Sequence, residues 1–178
     1  PALVGTLGIP VFSAAASNSL VAVESAEGAV AVLDYEKLGE RTVEPAGLSL
    51  GEDVTAAVPY GSRVVTVTGT GRMQVIDDTG ANDLVGECVN PTWSKSSRRA
   101  VVFGCETGAV RVTGGEGDLT VTAMPFPPDA PAQRPQQMDH RDRADVFAGL
   151  SPGTVWVLDS RQRRWTPIAV PDAVAANT

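Results

Sequence analysis

Histidine is nearly absent from this sequence: its 178 residues include only His140. Lysine occurs only at Lys37 and Lys95, and aromatics make up 5% of the chain. The formal net charge is −7, so the basic surface that displaces counterions from phosphate is missing and nucleic acid is not an expected partner. One histidine allows at most one Ser–His pair, and no phosphate-cradling Gly-rich loop is followed by Lys. We therefore expect a protein that is not an enzyme. No apolar run approaches the roughly 20 residues of a membrane span. No stretch has a sustained helical period; residues 34–41 suffice for one turn. The first residue is Pro1 and not Met, the mark expected of a mature or trimmed product, with any signal peptide or lipid anchor outside this stretch.

What is present is β-type and repetitive. Hydrophobic residues reach 43% and charged residues 20%, an ordinary globular balance. One pattern recurs four times: a β-rich run, a turn, a Gly, then alternating Val-x-Val, often closed by Asp. Val64-Val65-Thr66-Val67 leads to Gly71-Arg72-Met73-Gln74-Val75-Ile76-Asp77, and Val146-Phe147-Ala148-Gly149 to Gly153-Thr154-Val155-Trp156-Val157-Leu158-Asp159. The other copies are led by Gly28 and Gly108. These glycines recur roughly every 40 residues, the repeat of a four-stranded propeller blade. Glycine suits a tight hairpin turn because it adopts positive φ at no steric cost. Third strands are expected at Leu119–Met124 and Trp165–Val170, and a short fourth strand between repeats at Asp53–Val58.

The expected fold is all-β, with about four four-stranded antiparallel β-propeller blades at 10–58, 59–98, 99–143 and 144–178, in one domain or fragment. A β-sandwich also has short, regularly spaced strands, but the repeated Gly-x-Val-x-Val order favours blades. Four blades are few for a closed ring. A larger seven- or eight-bladed propeller is expected, completed by a further chain segment or by self-association.

The two cysteines, Cys88 and Cys105, suit one disulfide, with two buried thiols as the alternative. Cys88 precedes the third copy and Cys105 ends that copy's first strand. A bond between them implies an extracytoplasmic compartment: periplasm, cell surface or medium. Glu87-Cys88-Val89-Asn90-Pro91, followed by Val101-Val102-Phe103-Gly104-Cys105-Glu106-Thr107-Gly108, resembles the periplasmic zinc chaperones of the AztD type. The resemblance implies a secreted bacterial β-propeller that hands zinc to the substrate-binding protein of an ABC importer. Most of that family's expected histidines are missing; after Cys88 the chain reads Pro91-Thr92-Trp93-Ser94. The metal function is then weakened, or carried by residues outside this stretch. The alternative is a metal-free cell-surface scaffold for protein interactions.

His140 lies between Asp139 and Asp142, and imidazole and carboxylate are both zinc ligands; an exposed loop histidine is the plainer alternative. Residues 125–143 form a long loop rich in proline, either functional or a passive crossing between blades. Trp156 stands out of phase with Val155 and Val157, so it packs between blades or faces a partner. Arg161, Arg163 and Arg164 sit on a hairpin turn, solvated or touching a partner.

Overall fold

The computed structural model describes residues 11–25, 30–43, 46, 53–97, 99–115, 117–141 and 144–170. The chain divides into two compact units, Pro1–Pro91 and Thr92–Thr178, each of which carries two antiparallel sheets. The turn glycine Gly28 lies outside the described residues.

In the first unit, β1 (Val11–Ala16), β2 (Leu20–Ser25) and β3 (Val30–Asp34) form a three-stranded sheet in that order. A one-turn helix, α1 (Tyr35–Gly39), follows; the Asp34 carboxylate caps it by accepting hydrogen bonds from the N–H groups of Glu36 and Lys37 at 2.8 and 3.1 Å. The second sheet is β4 (Val54–Tyr60), β5 (Arg63–Thr68), β6 (Arg72–Asp77) and β7 (Gly80–Glu87). Val64, Val65, Thr66 and Val67 are successive residues of β5 and all are fully buried. Successive side chains point to opposite faces of a sheet, so both faces here are covered. β-Branched residues fill such a site well because their stiff side chains pack on a pleated surface. Leu20, Ala22 and Val32 of the first sheet share a core with Val54, Ala57 and Val64 of the second. Glu24 joins the two sheets: its carboxylate accepts from the Ala57 N–H at 2.7 Å and from the Ser13 hydroxyl at 2.7 Å.

In the second unit, β8 (Trp93–Ser96), β9 (Ala100–Cys105), β10 (Gly108–Thr113) and β11 (Thr120–Pro125) make the third sheet. The fourth consists of β12 (Met138–Asp139), β13 (Val146–Ser151), β14 (Thr154–Asp159) and β15 (Arg164–Ala169). Trp93, Val102, Ala109 and Met124 of the third sheet meet Met138, Phe147, Trp156, Leu158 and Trp165 of the fourth in one core.

The sheets correct the expected blade limits. Residue 58 lies inside β4, the 98/99 limit separates β8 from β9, and the 143/144 limit separates β12 from β13. Each limit assigned a sheet's first strand to the preceding blade. The reason is that the Gly-led ladder marks only second and third strands. First strands are short, as in Met138–Asp139, or lack the alternation. Asp53–Val58, expected to close the first blade, falls mostly within the opening strand of the second sheet and pairs with β5.

Candidate functional site

The long proline-rich crossing and the residues beside His140 converge on one face of the fourth sheet. Trp156 and Trp165 lie on neighbouring strands, with ring centroids 5.8 Å apart and planes near perpendicular at 88°. Phe126, the first loop residue after β11, places its ring 5.2 Å from Trp156 and 4.6 Å from Trp165. The Arg134 guanidinium stacks 4.4 Å above the Phe126 ring and donates a hydrogen bond to the Pro131 carbonyl. A cation over an aromatic face is attracted by the ring quadrupole; Arg134 also lies 5.5 Å from the Trp156 ring centroid, so Phe126 and Arg134 together hold the loop against the fourth sheet. Buried indole N–H groups need acceptors. Trp156 donates to the Ser151 hydroxyl and Trp165 to the Met124 carbonyl, both at 2.9 Å. Trp156 is thus a fully buried core residue between the third and fourth sheets.

Next to this face, β12 positions Asp139 and His140. Met138 pairs with Gly149 and Asp139 with Ala148. Gly149 is required here, because a Cβ at that position would collide with the Gln137 carbonyl and the Met138 sulfur. The His140 ring lies edge-on to Phe147 at 4.7 Å, and its Nδ1 is 2.7 Å from the Arg141 carbonyl. The Asp139 carboxylate accepts from the His140 backbone N–H at 2.8 Å and pairs with the Lys95 ammonium at 3.5 Å. The N–H hydrogen bond first, and then the Lys95 charge, hold the Asp139 carboxyl below its ordinary pKa of 3.8.

The structure thus places Asp139 and His140 side by side, while Asp142 lies outside the described residues. Zinc takes at least three protein ligands. Asp139 and His140 offer one imidazole and one carboxylate already held by a cation and a peptide N–H. Among the described residues no group of three or more His, Cys, Asp or Glu is arranged to hold a metal ion. Arg161, Arg163 and Arg164 are exposed on the β14–β15 turn; Arg161 approaches Asp145 at 4.0 Å. Gly47-Leu48-Ser49-Leu50-Gly51 has the Gly-x-Ser-x-Gly spacing of a nucleophile elbow. It lies outside the described residues, and the strand–turn–helix setting that gives the spacing its meaning belongs to α/β folds.

Cys88 and Cys105 form a disulfide. Cys88 directly follows β7, its N–H donating to the Gly71 carbonyl at 2.8 Å, and is fully buried.

Comparison with solved structures identifies the fold. The chain is similar to AztD from Citrobacter koseri, with a TM-score of 0.74 and 15% identity over 90% of this chain and 47% of that one. It is also similar to the extracellular domain of the hybrid two component system BT4673 from B. thetaiotaomicron (TM-score 0.59, 10% identity, 92% and 24% covered). A third similar structure is the β-propeller domain of Cps50 (Swd1) from Myceliophteria thermophila (TM-score 0.55, 11% identity, 93% and 57% covered). The fold is an AztD-like β-propeller fold. The chain spans about half the length of AztD. No family model matches the sequence, and no curated protein matches it. Among the described residues no helix is long and apolar enough to cross a membrane.

Proposed function

We propose that this chain belongs to an extracytoplasmic β-propeller binding protein, not an enzyme, that serves as a zinc-handling accessory of an ABC metal importer. The observation that carries the reading is the likeness to AztD over 90% of the chain, joined to the two-cysteine segment that resembles the AztD-type zinc chaperones. The Cys88–Cys105 disulfide supports the compartment, because such bonds persist where the surroundings are oxidising. The partner on this reading is the zinc-binding substrate-binding protein of the importer. In its zinc-handling form the protein needs at least one ligand beyond Asp139 and His140.

A second reading, a metal-free scaffold for protein contacts at the cell surface, is favoured by a specific observation: Lys95 and the His140 N–H already engage the Asp139 carboxylate. Calorimetric titration of the intact secreted protein with zinc, beside His140→Ala, separates the two. Submicromolar binding that the substitution removes is the result expected for zinc handling. An intact protein that takes up no zinc leaves the scaffold.

A further inference from the structure

One end of the second unit is basic in a chain whose formal net charge is −7. Arg161, Arg163 and Arg164 stand exposed on the β14–β15 turn. Antiparallel pairing brings the start of β13 to that turn, with Val146 opposite Asp159 and Asp159 opposite Arg164. The crossing from β12 to β13 ends there too, and it carries the exposed Arg141. The Asp145 carboxylate accepts from the Ser97 hydroxyl at 2.9 Å, which sets the β8–β9 turn beside this end. Arg99 lies on that turn, and Arg111 is two residues from the end of β10. Most acids here are occupied. Asp145 is held by Ser97 and faces Arg161 at 4.0 Å, and Asp159 accepts from two turn N–H groups; Asp118 stands exposed on the β10–β11 turn. Among the described residues, Arg111, Arg141, Arg163 and Arg164 have no carboxylate partner.

Two of these arginines stand where the fold by itself favours another residue. Arg163 has φ of 55°, in the left-handed region that glycine and asparagine enter more cheaply. Arg111 is half-buried, and its Nε is enclosed without a hydrogen-bond acceptor among the described residues. An unmet donor on a charged group is costly. A fold departs from its own local preferences chiefly where function requires it. We propose that this end of the third and fourth sheets binds an acidic, carboxylate-rich segment of a partner protein. An incoming carboxylate neutralises guanidinium groups that have no partner of their own. The cations here are all arginine, whose planar fork takes both oxygens of a carboxylate at once. At physiological salt, charges more than about 8 Å away are largely screened, so the local patch and not the net charge governs the approach. No aromatic ring stands exposed among the described residues of this unit, so it has nothing to stack on bases or to anchor at a bilayer. Both functional readings above call for a protein partner, and the proposal rests on them in that respect alone.

The test is fluorescence anisotropy of a labelled hexaglutamate peptide titrated with the disulfide-intact protein, at about 10 mM ionic strength where screening is weak. Saturable binding is expected, and Arg163→Gly combined with Arg164→Ser should weaken it at least about fivefold, as the loss of two surface charge pairs allows. Arg163→Gly alone should unfold at or above the wild-type temperature, and so should Arg111→Met, which keeps an apolar stem; each should still weaken peptide binding. Arginines that serve only the turn or the core would give lower thermal midpoints and unchanged binding, and that result would overturn the proposal. So would a wild-type protein that takes up no hexaglutamate, or an equal loss of binding in Arg41→Ser on the first unit. Binding of phosphatidylglycerol vesicles without binding of hexaglutamate would replace the acidic segment with a lipid surface. Zinc titration of the same samples reads the metal function separately, because none of the substituted arginines is a metal ligand.

Discussion

Three aspartates that end Val-rich strands have one job. Asp34 caps α1. Asp77 accepts from the Thr79 N–H at 2.8 Å and its hydroxyl at 2.6 Å. Asp159 accepts from the N–H groups of Arg161 and Gln162 at 3.1 and 2.9 Å. In each, a short carboxylate satisfies backbone donors that the turn leaves unpaired. Gly104 is constrained differently: a Cβ there would run into the Trp93 indole. Gly104→Ala should therefore cost about 1–3 kcal/mol, the usual penalty for overpacking, read as a lower urea midpoint at unchanged slope. For Asp139 the folded pKa is depressed. Its contribution to stability is present above the unfolded pKa and is lost as the pH falls through the folded one. The expected NMR titration midpoint of its carboxyl lies below 3.8, and Lys95→Ala should raise it. The acid-unfolding curves of wild type and Asp139→Asn should differ above about pH 4 and merge only after the pH has fallen through the lower, folded pKa.

At the scale of elements, the crossing from β11 to β12 is held by a few side chains. Phe126 sits between Trp156, Trp165 and Arg134, and Pro135 is buried beside Gly149. Phe126 is half-buried against the core, so Phe126→Ala should release the loop and cost less than the roughly 3 kcal/mol lost on truncating a fully buried Phe. The check is limited proteolysis: cleavage within 127–137 should appear in the variant under conditions where wild type is left intact. Pro127, Pro128, Pro131 and Pro135 were readable as stiff, non-pairing positions, whereas Pro125, expected to open the loop, ends β11 opposite Gly108. The anchoring was not, because Phe126 and Trp165 are distant in sequence and only the β10–β11 and β14–β15 hairpins bring them together. Strand positions were more legible. The expected third strand at Leu119–Met124 became β11 (Thr120–Pro125), and that at Trp165–Val170 became β15 (Arg164–Ala169).

For the whole molecule, the disulfide is the strongest handle. Closing the chain between Cys88 and Cys105 restricts the unfolded ensemble and contributes on the order of 3 kcal/mol in the chain-entropy model. The double variant Cys88→Ala, Cys105→Ala should lose about that much, seen as a lower thermal midpoint. Mass spectrometry of alkylated, unreduced protein should find neither thiol free. Both cysteines are nearly closed to solvent, at 0% and 8% exposed, so reduction should require partial unfolding.

What the sequence determined by itself is local. Alternation of β-branched residues, turn glycines and strand-end aspartates are short-range signals, and they specified blade hairpins and their repeat. Gly71 and Gly153 show why: both sit in turns at φ of 87° and 70°, a backbone region costly for side chains bearing a Cβ. The tertiary structure decided what depends on distance through space. It assigned the first strand of each sheet, buried Trp156 between two sheets, gave Asp139 to Lys95, and left Leu150 and Ile168 open. Those outcomes follow from which sheet lies on which, and strands with the same alternating pattern carry no record of that in their own residues.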